Sequence, residues 1–308
     1  MAQHLSIPAL AKRVTDESSA YQFLEELRWG DSPVCPHCDS TVVVFLTPRS
    51  GTGTRATRTG AQSPRRVWKC KNRECRKQFS ALTGTIFHGS KIPVRSWLFV
   101  LFEMCASKNG VSAREVQRKY DLTPKSAWFM TMRIREAMKR NPTATRMVGT
   151  IEADEAYIGG KARAARGTLS KDARPSPRIK PEKTPVLTLV NRETGEARTR
   201  VMARVTSDNL YSAINHQVNP DGSRLMTDES KLYDNIGNQF TGGHDAVWHA
   251  GGEYVRGDVT SNRAENYFSQ LKRSLDGTHH RISAEHLDRY LAEFDFRFST
   301  RKLGSGSV

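Results

Sequence analysis

The chain has 308 residues and a formal net charge of +16 at pH 7. Its most apolar window, "SWLFVLFEMCA", is shorter than the roughly 18 residues that a bilayer span requires, and the N-terminus lacks the pattern of a signal peptide, so we expect a cytoplasmic protein with no membrane partner. The excess of Lys and Arg indicates a polyanionic partner, nucleic acid before others, although ribosome-associated, heparin-binding and membrane-surface proteins share this property.

The first predicted element is an amphipathic helix over residues 14–29, "VTDESSAYQFLEELRW". Its expected inward face consists of Tyr21, Leu24, Leu27 and Trp29.

Four of the five cysteines form two close pairs, Cys35 with Cys38 and Cys70 with Cys75. In a cytosolic protein such pairs indicate metal rather than disulfides, and two tight turns can assemble a tetrahedral four-sulfur zinc site. The loop-like residues around the pairs argue against four unrelated buried thiols. We therefore predict one structural Zn²⁺, with His37 as an alternative ligand.

Residues 48–66 are rich in Gly, Thr, Ser and Arg, which predicts a flexible basic loop. The pattern is helical over residues 93–140. Within that stretch, residues 110–140 have the form of a helix-turn-helix, because Ser112 and Thr123 each suit a helix N-cap and "DLT" suits the turn.

The second helix of this pair has an apolar stripe and a basic face. The expected buried residues are Ala127, Met130, Ile134 and Met138. The residues expected to point partly or wholly outward are Lys125, Ser126, Phe129, Arg133 and Arg135. A DNA recognition helix has this arrangement, with Lys125 and Arg133 as DNA contacts, and the alternative is a plain helical linker with a solvated charged face.

After Gly149 the pattern changes to short β-branched runs. "TPVLTLV" and "TRVMARV", separated by "NRETGE", predict a hairpin, followed by a helix in "SDNLYSAINHQV" and a strand in "SRLMTDES". Residues 262–299 are helical again, and residues 301–308 are expected to be a flexible tail.

The stretch "TIEADEAYIGGK" has the pattern of a buried strand although it carries Glu152, Asp154 and Glu155. A buried carboxylate needs a cation, a hydrogen-bond cage or a metal. Two later acids have similar settings, since Asp228 ends a predicted strand and Glu265 lies in a predicted helix. Such a trio can hold two Mg²⁺ or Mn²⁺ ions for phosphoryl transfer, and the alternative is that each acid pairs with an arginine.

Several motifs resemble those of the insertion sequence 1595 family of transposases, namely "CPHCDS", "ADEAYIGGK", "TSNRAENYFSQLKRSL" and "HLDRYLAEFDFRF". The resemblance implies an α/β protein, in which a zinc ribbon and a helix-turn-helix segment precede a ribonuclease H-like mixed-sheet catalytic core. It also implies that Asp154, Asp228 and Glu265 form a DDE catalytic triad.

The resemblance further implies DNA contacts on the helix of Glu265. Asn262 precedes Glu265 by three residues, and Lys272, seven residues beyond it, matches a basic residue that contacts DNA near the cut. Thr260 stands where the family often has histidine. The insert at residues 161–183 has eight Lys or Arg against two acids, so we expect it to become ordered on DNA.

These features predict five segments. They are an N-terminal helical segment (1–30), a zinc ribbon (31–85), a helix-turn-helix segment (86–145), the ribonuclease H-like domain (146–300) and the tail (301–308).

The predicted function is that of a transposase that binds the terminal inverted repeats of its element, cuts the 3′ ends and joins them to target DNA. Its partners would be the DNA of transposon ends and target, and a second copy of the chain at least, in the cytoplasm at a bacterial nucleoid. The alternatives are a catalytically inactive zinc-ribbon and helix-turn-helix regulator, and a ribonuclease H-like nuclease that does not join strands.

Overall fold

The computed structural model describes residues 5–46, 55–56, 62–63, 66–139, 145–159, 183–228, 230–247, 256–280 and 282–301. Nearly all of the basic insert 161–183, most of the basic loop 48–66 and nearly all of the tail 301–308 lie outside these residues. The chain divides into two compact units, the first formed by Met1–Met104 with Ala113–Ile134 and the second by Cys105–Ser112 with Arg135–Val308.

The first unit begins with two helices and continues with short strands. These elements are α1 (Ile7–Arg13), α2 (Glu17–Trp29), β1 (Val43–Phe45), β2 (Arg55–Ala56), β3 (Gln62–Ser63), β4 (Trp68–Cys70) and β5 (Gln78–Phe79). Strands β1, β4 and β5 form an antiparallel sheet in the order β1-β4-β5, and β2 pairs with β3 inside residues 48–66, for which the sequence predicts a loop.

Helix α2 confirms most of the predicted N-terminal helix. Asp16 and Ser19 form a reciprocal capping box, which fixes its start. Tyr21 and Leu24 are buried, but the prediction for Leu27 is wrong, because its side chain is 66% exposed.

The predicted helix-turn-helix corresponds to two helices, and α3 precedes them. The three are α3 (Val94–Ala106), α4 (Ala113–Lys119) and α5 (Pro124–Ala137). The hydroxyl of Thr123 accepts a hydrogen bond from the Ser126 amide at 3.1 Å, as expected of an N-cap, and all four residues of the predicted stripe are buried. The prediction for Arg135 is wrong: its side chain is fully buried and pairs with Glu293 at 2.6 Å.

The second unit contains a five-stranded mixed sheet. Its strands are β6 (Thr150–Ile158), β7 (Thr184–Asn191), β8 (Ala197–Val201), β9 (Arg224–Asp228) and β10 (His244–Val247), in the order β10-β9-β6-β7-β8. Strands β6, β7 and β8 pair antiparallel, whereas β9 and β10 run parallel to β6. The hairpin predicted for β7 and β8 is therefore confirmed. The mixed sheet expected of a ribonuclease H-like core is also confirmed.

Helices cover both faces of this sheet. They are α6 (Ser207–Gln217), α7 (Asp234–Gly237), α8 (Asn262–Ser274) and α9 (Ala284–Thr300), with a 3₁₀ turn at Lys231–Tyr233 and a π turn at Leu275–His279. Residues alternate between the faces as the two-residue period of a strand requires, since Ile151 and Ala153 lie in the core beneath α6, and Ala156 and Ile158 lie in the core beneath α8 and α9.

The edge strand β8 is closed by side chains of helix α9. The Thr199 amide donates to Asp295 Oδ2 at 2.8 Å, and the Ala197 amide donates to Ser299 Oγ at 3.0 Å. Among the residues that the structure describes, no helix has the length and apolar character needed to cross a membrane.

Candidate active site and metal centres

The four predicted zinc ligands come together in the first unit. The sulfur atoms of Cys35, Cys38, Cys70 and Cys75 all lie within 4.8 Å of one another, with Cys35 to Cys75 at 3.8 Å and Cys38 to Cys70 at 3.6 Å. Tetrahedral zinc with bonds of about 2.3 Å separates its sulfur ligands by about 3.8 Å. The cluster therefore fits one zinc ion.

Two similar turns build this cluster. The residue after the second cysteine of each pair, Asp39 or Arg76, has a left-handed backbone, with φ of 55° and 47°. The Asp39 amide donates to the carbonyl of Cys35 at 2.9 Å, and the Arg76 amide donates to that of Asn72 at 3.1 Å. The tight turns predicted from the cysteine spacing are thus present in the backbone.

The two predicted aspartates lie on adjacent strands of the second unit. Strand β6 pairs in parallel with β9 up to Glu152 and Met226, and the same register continued by two residues places Asp154 beside Asp228. Both aspartates are half-buried. Asp228 Oδ1 accepts a hydrogen bond from the Ser230 amide at 3.1 Å, which holds the chain where it leaves β9.

Glu265 approaches the same strands from helix α8. The helix packs on β6 and β7, and Glu265 lies in its first turn with an exposed side chain whose Oε1 accepts from the Ser261 hydroxyl at 3.2 Å. Asn262 is the first residue of this helix, and its amide donates to the Thr260 hydroxyl at 3.1 Å.

Electrostatics indicate that the three predicted acids share one environment. The pKa of Asp154 is raised to about 6, chiefly by burial and in addition by the negative charges of Asp228 and Glu265, while the Glu155 amide and Lys272 act in the opposite direction. Three carboxylates close enough for two of them to raise the pKa of the third, Asp154, are a suitable donor set for hard divalent cations such as Mg²⁺ or Mn²⁺. Asp154, Asp228 and Glu265 therefore fit the divalent cations expected at this site.

The other two acids of strand β6 have protein partners. Glu155 points to the opposite face of the sheet and accepts a short hydrogen bond from the buried Tyr233 hydroxyl, and burial raises the pKa of Glu155 to about 7. Glu152 is fully buried and pairs with Arg192 at 2.8 Å. Sequence reasoning identified neither Tyr233 nor Arg192, since no local pattern connects them with these acids.

The predicted DNA contacts of helix α5 differ in exposure. Lys125 is exposed, whereas Arg133 is half-buried, donates from Nη1 to the His88 carbonyl at 3.0 Å and lies over the ring of Phe129 at 5.3 Å. Trp128 and Phe129 are also exposed, so the surface beside Lys125 combines positive charge with aromatic rings.

Comparison with known proteins gives consistent matches for both units. A family model described as an ISXO2-like transposase domain matches residues 146–299, and one described as a transposase zinc-ribbon domain matches residues 15–78. An uncharacterized protein in transposable element ISH50 of Halobacterium salinarum is 25% identical over 301 residues, which cover 93% of this chain and 92% of that protein.

Among solved structures, the protein matches a chain in the simian T-cell lymphotropic virus intasome in complex with the PP2A regulatory subunit B56 gamma. The TM-score is 0.31 and the sequence identity is 13%, and the match covers 64% of this chain and 66% of that chain. So low a TM-score supports no inference about this protein. The first family model spans half of the chain, and the second adds the zinc ribbon. The chain therefore belongs to the insertion sequence 1595 family of transposases, with an ISXO2-like transposase domain.

Proposed function

We propose that the protein binds the terminal inverted repeats of an insertion sequence, cuts their 3′ ends and joins them to target DNA. The observation that carries this proposal is the convergence of Asp154, Asp228 and Glu265 from two adjacent strands and one helix. Membership in a transposase family supports the same conclusion.

In this proposal the three acids hold two divalent cations, Mg²⁺ or Mn²⁺. Bound cations would supply activation of the attacking oxygen and stabilisation of the leaving oxygen, which serves both hydrolysis and strand joining. Asp154 and Asp228 supply ligands from the rigid sheet, and Glu265 supplies one from an exposed position that DNA can reach. Asn262 and Lys272, both exposed on the same helix, would contact the DNA strand near the cut.

In this proposal the first unit recognises the transposon end. Lys125 and Arg133 of helix α5 would contact the transposon end, and the cysteine cluster would hold one structural zinc that stabilises the ribbon beside it. Because two transposon ends must be brought together, we propose a homodimer or a higher assembly on DNA, acting at the bacterial nucleoid.

The test is a labelled transposon-end fragment incubated with Mg²⁺ and scored for 3′ nicking and strand transfer. Asp154→Ala, Asp228→Ala and Glu265→Ala should each bind the fragment about as well as the parent. Each should lose several orders of magnitude in cleavage, because metal-bound charge stabilisation contributes several kcal/mol and each 1.4 kcal/mol is roughly a tenfold rate. Asp221→Ala, in an exposed turn of the same unit, is the control and should cut normally.

Three outcomes would contradict the proposal or part of it. A parental protein that binds but never nicks would be a regulator, and one that nicks without joining would be a nuclease. If one of the three acid variants cuts at the parental rate, that acid is not a metal ligand. Lys272→Ala should have a milder effect than any of them, since a phosphate contact positions the strand but holds no metal.

A further inference from the structure

Glu152 is a fully buried acid that the proposed chemistry does not use. It precedes Asp154 by two residues on strand β6, so the two side chains belong to the same face of the central strand of the sheet. Its two carboxylate oxygens have different partners. Oε1 faces Arg192, and Oε2 faces the first turn of helix α8.

Arg192 connects Glu152 to the segment that leads into helix α8. Its Nε and Nη2 donate to Glu152 Oε1 at 3.0 and 2.8 Å. The same guanidinium donates from Nη1 to the carbonyl of Asp258 at 2.6 Å and from Nη2 to that of Thr260 at 3.0 Å. In the other direction, Arg263 Nη1 donates to the carbonyl of Arg192. Five charge-assisted contacts therefore connect Glu152, Arg192 and the segment that enters the helix.

The second oxygen of Glu152 caps the helix itself. Oε2 accepts from the amide of Arg263 at 2.7 Å and from that of Ala264 at 3.3 Å. These amides belong to the first turn, whose N–H groups have no partner within a helix. At the N-cap position the hydroxyl of Ser261 donates to Glu265 and does not cap these amides. The cap therefore comes from strand β6, more than 100 residues earlier in the chain.

We infer that Glu152 and Arg192 are positioning residues that set the place of Glu265 relative to Asp154. Glu265 follows the capped Ala264 directly, and Asp154 lies two residues beyond Glu152 on the central strand. One carboxylate thus anchors the helix of one proposed ligand to the strand of another. This inference rests on the proposed function, because it assumes that both acids hold metal.

Two other roles for Glu152 are less compatible with its contacts. As a metal ligand it would need a free oxygen facing Asp154, but Arg192 and the helix amides engage both of its oxygens. If the Glu152–Arg192 ion pair contributed only to stability, replacing Glu152 would not change metal binding at the site of Glu265. The second role makes a different prediction from ours, so an experiment can separate them.

Amide hydrogen exchange of the full chain, with its zinc retained and no Mg²⁺ or Mn²⁺ added, tests the anchoring. In Glu152→Gln the new amide group has one donor end and one acceptor end, whereas the site offers donors on both sides. One contact must therefore fail. We expect exchange in a peptide covering residues 256–268 to accelerate at least tenfold more than exchange in helix α6. Parental exchange in the 256–268 peptide would overturn the inference.

A matched control removes the same charge from another buried pair. Glu293→Gln also converts a buried, arginine-paired glutamate into an amide, but on helix α9. Because it lowers the stability of the whole unit, it should accelerate exchange over residues 256–268 no more than exchange in helix α6. If Glu152→Gln does not fold, Arg192→Gln is the second variant, since it keeps the cap on Arg263 and Ala264 and releases only the segment before them.

Mn²⁺ titration by calorimetry, on protein that retains its zinc, tests the consequence for the site. Loss of a residue that orients a metal ligand typically weakens metal affinity 10- to 100-fold, so Glu152→Gln should weaken Mn²⁺ binding by about that factor and Glu293→Gln should not. Faster exchange with parental Mn²⁺ affinity would overturn the inference. Glu265→Gln separates the two hypotheses: if it leaves Mn²⁺ affinity unchanged, the proposed ligand role of Glu265 is wrong, whatever Glu152 does.

Discussion

A buried cluster of one carboxylate and two guanidinium groups allows a quantitative prediction about the second unit. Arg135 Nε donates to Glu293 Oε2 at 2.6 Å, and Arg297 Nε lies 3.4 Å from Glu293 Oε1. All three side chains are at most 6% exposed. Burial lowers the pKa of Arg297, Glu293 opposes that shift, and the positive charge of Arg135 adds to it.

Because the cluster contains one negative and two positive groups, loss of the carboxylate should destabilise the protein more than loss of Arg135. Removing Arg135 leaves Glu293 paired with Arg297, so Arg135→Met should cost about 2 kcal/mol, as for the loss of a hydrogen bond between charged groups. Removing the charge of Glu293 leaves two like charges buried without a counterion, so Glu293→Gln should cost about 4 kcal/mol, within the range for a broken buried pair. The same contact is lost in both variants, but the second should cost about twice as much.

Thermal unfolding followed by circular dichroism measures the difference. For a domain of 150 to 250 residues, 1 kcal/mol lowers the Tm by about 2 to 4 °C, so we expect decreases of about 4 to 8 °C for Arg135→Met and about 8 to 16 °C for Glu293→Gln. The double variant should be less destabilised than the sum of the two, because both single variants lose the same Arg135–Glu293 contact and the double variant leaves one unpaired buried guanidinium instead of two. If Arg135→Met destabilises as much as Glu293→Gln, Arg297 does not compensate Glu293 and the reasoning is wrong.

The zinc ribbon and helix α5 give two more predictions. Cys70→Ser should reduce bound zinc, measured by metal analysis, from about one equivalent to nearly none and should unfold the ribbon. Cys105→Ser, outside the cluster, is the control and should retain its zinc. A parental protein that is folded and active without zinc would refute the site. Lys125→Ala should weaken binding across all DNA sequences and reduce the salt slope by about 1, whereas Arg133→Ala should cost about 1 to 3 kcal/mol at the transposon end if it contacts a base. Unchanged binding by both variants at fixed salt would make α5 a plain helix with a solvated face.

Sequence reasoning predicted the structure correctly where contacts between residues close together in the chain determine it. The cysteine pairs are separated by only a few residues, so local turns place each pair, and the sulfur atoms converge as predicted. The hairpin of β7 and β8 and the strand that ends at Asp228 follow from two-residue periodicity and turn residues. The setting of Asp154 beside Asp228 required the pairing of two strands that are far apart in the chain, and the family resemblance supplied that relation.

Sequence reasoning failed where a distant partner overrides the local pattern. Helical periodicity placed Arg135 on the outer face of α5, but Glu293, 158 residues away, forms its ion pair inside the protein. Leu27 shows the opposite error, because its spacing suited the inward face and its side chain is exposed. The role of Glu152 depends on Arg192 and on amides 111 and 112 residues away, which no periodicity in β6 can reveal.

The closed edge of the sheet limits how copies of this protein can associate. An edge strand with open amides is a template on which a strand of another molecule can add, in amyloid-like stacking or in ordered β-augmentation. Along β8 the outward amides of Ala197 and Thr199 are already engaged by Ser299 and Asp295. A neighbouring molecule could extend the sheet there only after displacing helix α9. Contacts between copies at this edge must therefore be made by side chains, whose identity can specify the partner, and not by a backbone ladder that would accept any strand.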